Sequence, residues 1–144
     1  LKLNSIAKEE GLGLIKICAS LEEQLYELTE EEKALFLNDY GIKESGLDKL
    51  IRASYDTLDL ITYFTAGEKE VRAWTVKKGS LAPQAAGVIH TDFEKGFIKA
   101  EVIKYDDFMS LGSELKCKEA GKLSIEGKEY IVKDGDIMHF RFNV

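Results

Sequence analysis

The sequence predicts an α+β protein in which a mixed sheet is crossed by one main helix. Two observations lead there. Apolar residues recur at helical spacing up to about residue 60, and then at a spacing of two. Beyond that switch, strand-like runs flank a short helix and are separated by turn dipeptides.

The elements follow in order. Lys2 to Glu10 reads as a short helix stopped by Gly11 and Gly13. Leu14, Ile15, Ile17, Cys18 and Ala19 form an apolar run expected to be a buried strand. A helix from about Ser20 sets Leu21, Leu25 and Leu28 on one face. Thr29 and Glu32 have the spacing of a capping box, so a further helix begins there and ends near Gly41. Ser45 caps the next helix, whose Leu47, Leu50, Ile51, Ser54, Tyr55 and Leu58 make the clearest amphipathic stripe in the chain, expected to pack.

After Leu60 the texture is that of strands. Ile61 to Thr65 is rich in β-formers, Gly67 breaks the run, and Glu70 to Val76 is a second strand. Gly79 turns the chain, and Pro83 suits the first turn of a helix lined by Ala85, Ala86, Val88 and Ile89. Such small residues let a helix approach a sheet closely. Phe97 to Tyr105 alternates, with Ile98, Ala100 and Val102 on one face and Lys99 and Glu101 on the other. Asp106 and Ser113 are expected to cap two short helices. Three β segments close the chain: Leu123–Glu126, Glu129–Val132 and Asp136–Phe142. In the last, Met138, Phe140 and Phe142 share one face, and Ile137, His139, Arg141 and Asn143 the other. A β-grasp (ubiquitin-like) arrangement is the simplest fold with this order. The domains expected are residues 1–59 and 60–143.

Composition narrows the function. Residues 1–60 carry seven Lys and Arg against thirteen Asp and Glu, and residues 61–144 carry thirteen of each. An acidic segment and a neutral one disfavour broad nucleic-acid binding and leave room for a local basic face. No apolar run reaches the ~18 residues that suggest a membrane span. Cys18 and Cys117 share no metal or redox spacing, as expected of thiols in the reducing cytoplasm. The first residue is leucine, so the chain is expected to be the tail of a longer protein.

Signatures of a complete enzyme are missing. The sequence holds no G-x-x-x-x-G-K-[ST], no G-x-G-x-x-G, no H-E-x-x-H and no G-x-S-x-G. His90-Thr91-Asp92 invites two readings. One is a small hydrolase in which Asp92 supports His90. The other is a helix end, where a histidine meets the negative end of the dipole for about 0.3–1 kcal/mol. Asp106-Asp107 is either a metal pair or a helix cap. A partner-binding face is a further candidate, built from Lys99, His139 and Arg141 together with Arg72 and Trp74. Val76 shares a strand face with Trp74, so Trp74 belongs either to that patch or to the core.

Long strings in the second part resemble the C-terminal region of the YchF family, the Obg-like ATPases. They are Ile61-Thr62-Tyr63-Phe64-Thr65-Ala66-Gly67, Glu70-Val71-Arg72-Ala73-Trp74-Thr75, Ala82-Pro83-Gln84 through His90-Thr91-Asp92-Phe93 to Phe97, and Lys133-Asp134-Gly135-Asp136 to Val144. Gly46-Leu47-Asp48-Lys49-Leu50-Ile51-Arg52-Ala53 resembles the family's helix leading into that region. The resemblance implies a TGS domain of β-grasp fold over 60–143, preceded by a mostly helical remnant of a P-loop α/β nucleotide-binding domain. Cys18-Ala19-Ser20 falls at the family's last nucleotide-contacting loop, with Ser20 where lysine is usual. The resemblance further implies a parent that hydrolyses ATP or GTP with Mg²⁺ and works at the ribosome or on ribosomal RNA. The phosphate loop, switch regions and base-specificity motif of such a parent do not occur in this sequence, so this part is expected to bind no nucleotide itself. A ubiquitin-like modifier is disfavoured because the chain ends Arg141-Phe142-Asn143-Val144, not in a Gly-Gly tail.

Overall fold

A computed structural model of the chain describes residues 2–67 and 70–143; Val144, the last residue of the closing string, lies outside them. The chain divides into two compact units, residues 1–58 and 59–144.

The first unit is helical: α1 (Lys2–Glu9), α2 (Ala19–Tyr26), α3 (Glu30–Asp39) and α4 (Gly46–Thr57). Helix α3 starts where the capping box predicts. The Thr29 amide donates to the Glu32 carboxylate at 2.8 Å, and the Glu32 amide donates back to Thr29 Oγ1 at 3.4 Å. The Thr29 amide, and the Thr29 hydroxyl donating to the same carboxylate at 2.9 Å, hold the Glu32 carboxyl below its usual pKa. Ser45 caps α4 by accepting the Asp48 amide at 3.0 Å. A second capping group comes from another helix: Glu22 of α2 accepts the amides of Gly46 at 2.7 Å and Leu47 at 3.3 Å. Leu25 is buried, but Leu47, Leu50, Ile51 and Leu58 on and after α4 stay exposed, against the expectation that this stripe packs. Leu25, Tyr26, Leu37, Ile42, Leu47 and Leu50 line an open cleft of ≈ 980 Å³.

The expected strand at Leu14–Ala19 does not form. Leu14 and Ile17 are 45% and 46% exposed, and the sheet draws all its strands from the second unit. A strand is stable only when a neighbour satisfies its backbone groups. An apolar run supplies the side chains and not the neighbour.

The second unit holds β1 (Leu60–Ala66), β2 (Val71–Lys77), α5 (Ala82–Ile89), α6 (Thr91–Lys95), β3 (Phe97–Lys104), α7 (Tyr105–Leu111), α8 (Glu114–Glu119), β4 (Leu123–Glu126) and β5 (Asp136–Phe142). The five strands form one sheet in the order β2-β1-β5-β3-β4, with β1 and β5 parallel and the other pairs antiparallel. Helix α5 crosses one face, and Ala82, Ala85 and Ala86 are fully buried against it. Small side chains there bring the helix close enough for Tyr63, in the middle of β1, to donate its hydroxyl to the Ala85 carbonyl at 2.8 Å. Burial pushes the Tyr63 pKa up. The parallel pairing of the first and last strands beneath a crossing helix is the β-grasp arrangement.

Three local expectations are corrected. Asp106 is no cap: α7 begins at Tyr105 with Lys104 as its N-cap, and Asp106 lies in the first turn. Glu129–Val132 is no strand. Among the described residues its one bridge joins Ile131 to Leu81, through the Val132 amide to the Ser80 carbonyl at 3.0 Å and the Ala82 amide to the Tyr130 carbonyl at 2.8 Å; its neighbour is the turn before α5, too short to extend these two bonds into a ladder. Ile98 does not face the core. The register shifts between Phe97 and Lys99, and this bulge buries Phe97 and leaves Ile98 56% exposed.

A buried charge anchors the unit. Asp136 is 0% exposed although it shares its strand parity with Met138 and Phe140. Its carboxylate accepts from Lys104 Nζ, from Tyr130 Oη at 2.6 Å and from the Lys133 amide at 2.9 Å. Burial opposes the Lys104 ammonium, but its bonds to Asp136 and Tyr130 prevail and hold its pKa above the ordinary value. Desolvation, reinforced by the Asp136 carboxylate, raises Tyr130 as well. The preceding residues are tied to β1, since Asp134 accepts the Thr62 amide and Gly135 donates to the Thr62 carbonyl, both at 2.8 Å.

Candidate functional site

His90 stands at the corner between α5 and α6, with extended backbone at φ −160° and ψ 140°. It ends α5 by donating its amide to the Ala86 carbonyl at 3.2 Å. Its ring caps α6: Nδ1 accepts the Asp92 amide at 3.2 Å. That bond places the neutral ring's proton on Nε2. The Asp92 carboxylate lies 3.5 Å from the same nitrogen, and both side chains are largely exposed. Thr91 opens α6 and is exposed. Phe93 stacks on Phe142 of β5, with centroids 3.8 Å apart. Two glycines close the corner. A Cβ on Gly96 would lie 2.1 Å from the Asn143 carbonyl oxygen, and one on Gly87 would lie 2.4 Å from Glu94 Oε2. The stretch from His90 to Gly96 thus clamps the last strand to the helix layer. His90 Nδ1 is already engaged by the backbone, which leaves Nε2 as its outward atom.

The predicted partner-binding face divides in two. In the β3/β5 ladder Lys99 pairs with Arg141 and Glu101 with His139, on the face opposite α5. Arg141 reaches Glu101 at 3.4 Å, so part of the positive charge there is neutralised. Trp74 pairs with Tyr63 and packs against the core on the α5 face. Its indole N–H donates to Thr65 Oγ1 at 2.9 Å, and the Arg72 guanidinium stacks over its ring at 4.3 Å. Arg72 and Trp74 therefore do not join Lys99, His139 and Arg141. The alternation of Trp74 with buried Val76 carried that signal.

Cys18, Ala19 and Ser20 sit at the start of α2, exposed. The Cys18 thiol lies 3.4 Å from the Ser20 hydroxyl, and this contact, with the Leu21 amide, lowers its pKa. The resemblance expects a nucleotide-contacting loop at this place. The loop brings no cation for phosphates, and among the described residues no cluster of His, Cys, Asp or Glu could hold a metal ion. The residues present do not fit ATP or GTP with Mg²⁺ as a complete site. Asp107, half of the supposed metal pair, is engaged by Lys122 at 3.1 Å.

Fold and geometry together define a β-grasp domain joined to a helical unit. The family model of the YchF GTPase C-terminal region, described as a protein of unknown function (DUF933), matches residues 60–143. The chain belongs to that family. It is 59% identical over 143 residues to the "Ribosome-binding ATPase YchF" of Haemophilus influenzae, and covers 99% of itself and 39% of that protein. Against the Bacillus subtilis protein of the same name the identity is 57%, with the same coverage. The structure of the Schizosaccharomyces pombe YchF GTPase superposes with a TM-score of 0.86 at 44% identity, covering 97% of this chain and 37% of that one. A GTP-binding protein from Pyrococcus horikoshii shares the fold, with a TM-score of 0.67 at 21% identity. The chain thus spans about two fifths of the length of the curated relatives it matches. Among the described residues no helix is long and apolar enough to cross a membrane.

Proposed function

We propose that this chain is the partner-binding part of a ribosome-associated nucleotide hydrolase acting in the cytoplasm. Residues 60–143 serve as a TGS module that contacts the ribosome, through RNA or protein, and residues 1–59 are the end of the nucleotide-binding domain with its connecting helices. The observation that carries this reading is the 59% identity to a protein named a ribosome-binding ATPase, in a sequence that holds no phosphate-binding loop. Hydrolysis of ATP or GTP with Mg²⁺ belongs to the parent protein and not to these residues. The docking surface is the open sheet face. Lys99 and Arg141 lie there side by side, with His139 next to them, where Phe108 of α7 and Glu114 of α8 flank the face beside Glu101 and His139.

Two measurements test it. Calorimetry of this chain with ATP or GTP and Mg²⁺ should show no binding; micromolar affinity would contradict the assignment. Co-sedimentation with ribosomes at moderate salt should fall when Lys99→Glu and Arg141→Glu are combined. Arg72→Glu, on the other face, should leave it unchanged. An unaltered pellet for the double variant would rule out the open face.

A further inference from the structure

The first amides of an α-helix have no partner within the helix. In α4 the first internal bond runs from the Lys49 amide to the Ser45 carbonyl at 3.2 Å. The amides before it are satisfied from outside. That of Asp48 goes to Ser45 Oγ, a local cap. Those of Gly46 and Leu47 go to the two carboxylate oxygens of Glu22, which lies 24 and 25 residues earlier. Gly46 is buried, so its amide depends on this carboxylate where an exposed one would turn to water. A carboxylate also suits the positive end of the helix dipole.

Glu22 is bound at its other end to the start of α2. Its own amide donates to the Cys18 carbonyl at 3.1 Å, beside the Leu21 amide at 3.0 Å. One residue thus holds residue 18 through its backbone and α4 through its side chain. Ile17, on the other side of residues 18–20, reaches the same place. A Cβ on Gly46 would lie 2.8 Å from Glu22 Oε1 and 2.9 Å from Ile17 Cγ2. Gly46 is not among the glycines of positive φ, so glycine stands here for space and not for backbone conformation. Residues 18–20 are bracketed by two side chains that both rest on the first residue of α4. That helix ends at Thr57, and Leu58 and Asp59 lead from it into β1.

We infer that Glu22 is a positioning residue that locks the loop at residues 18–20 to the N-terminus of α4, with Gly46 as its seat. A displacement of the loop is felt in the first turn of α4, and the reverse holds because coupling between two places is reciprocal. That this loop meets a nucleotide in the longer parent rests on the function proposed above. On that reading, Glu22 joins nucleotide contact to the helix through which the chain enters the TGS module.

Cys18 is the probe. It is exposed and Cys117 is buried, so iodoacetamide added to the native 144-residue chain reads residue 18. The Ser20 hydroxyl and the Leu21 amide lower the Cys18 pKa, and both contacts belong to the positioned loop. Gly46→Ala drives a methyl group into Glu22 and Ile17 without touching Cys18. It should raise the midpoint of the Cys18 pH–rate profile by about half a unit or more, since the thiolate is the reacting form. Ser45→Ala removes only the local cap of the same helix and should leave that midpoint in place. Glu22→Gln and Glu22→Ala lose the same charge, so the difference between them isolates the bonds. Glutamine keeps an oxygen for the Gly46 amide and should hold the midpoint below that of the alanine variant. If Gly46→Ala fails to fold, this pair decides the matter. The inference is overturned if Gly46→Ala leaves the Cys18 profile unmoved, if Ser45→Ala moves it as far, or if the two Glu22 variants coincide. In the longer parent, Glu22→Ala should raise the KM for ATP or GTP by about fivefold or more, and Glu22→Gln by less. A shifted Cys18 profile with an unaltered KM would sustain the positioning role and overturn the nucleotide reading of the loop.

Discussion

Replacing Lys104 by methionine removes the cation facing Asp136 and leaves the aliphatic stem in place. The carboxylate remains 0% exposed. Removing one member of a buried ion pair costs about 3–5 kcal/mol. Two features lower that figure here. The Lys104 side chain is 44% exposed, so solvent screens the pair. The carboxylate also keeps Tyr130 Oη at 2.6 Å and the Lys133 amide at 2.9 Å. The expected loss is about 2–3 kcal/mol, or a fall in Tm of roughly 10–20 °C for a unit of this size. Trp74 is the single tryptophan, so its fluorescence during urea or thermal unfolding reports on this unit alone. Asp136→Ala should be costly as well, and the Lys104→Met/Asp136→Ala double variant should fall short of the summed losses by about 1–3 kcal/mol. The pH dependence has a definite sign. The Lys104 pKa is raised in the fold, so its contribution is complete below the ordinary lysine value of about 10.4 and disappears as pH rises through the folded one. Tyr130, also raised, acts in the same direction. Additivity of the two single losses within about 0.5 kcal/mol, or stability unchanged up to pH 11 or so, would refute this account.

Other variants probe the corner and the helix contact. Gly96→Ala sets a methyl group against the Asn143 carbonyl and should cost about 1–3 kcal/mol in urea titration. Tyr63→Phe removes the hydroxyl bond to the Ala85 carbonyl, which keeps its helical amide donor, and should cost about 0.5–1.5 kcal/mol by the same fluorescence assay. His90→Ala removes the ring that caps α6; a loss of about 0.5–2 kcal/mol is expected. Any hydrolysis by the wild-type chain that this variant abolished would instead favour a catalytic His90.

Local chemistry was legible in the sequence because it depends on near neighbours. Thr29 with Glu32, and Ser45 before Gly46, mark helix starts through bonds spanning three residues. Alanines after Pro83 announce a helix that lies close to its sheet. The alternation Met138-x-Phe140 gives the buried side of β5. The α+β class and the β-grasp order follow from such patterns, and the resemblance strings agree with them. Asp136 shares core parity in β5, but its role as a buried anchor was not read from the sequence, because its partners lie thirty-two and six residues away.

Tertiary structure decided what depends on a distant neighbour. Leu14 to Ala19 has the composition of a strand but no ladder partner among the described residues, and Glu129–Val132 meets a turn instead of a strand. One bulge at Phe97 exchanged the faces of Phe97 and Ile98. Trp74 went to the core side because Tyr63, its cross-strand partner, sits beneath α5. That pairing separated Arg72 from Lys99, His139 and Arg141, and turned one expected patch into a basic sheet face and a separate Arg72–Trp74 pair. Spacing along a chain fixes which residues share a side of their own strand. Only the register between strands, set by backbone hydrogen bonds, determines which of those sides lie together.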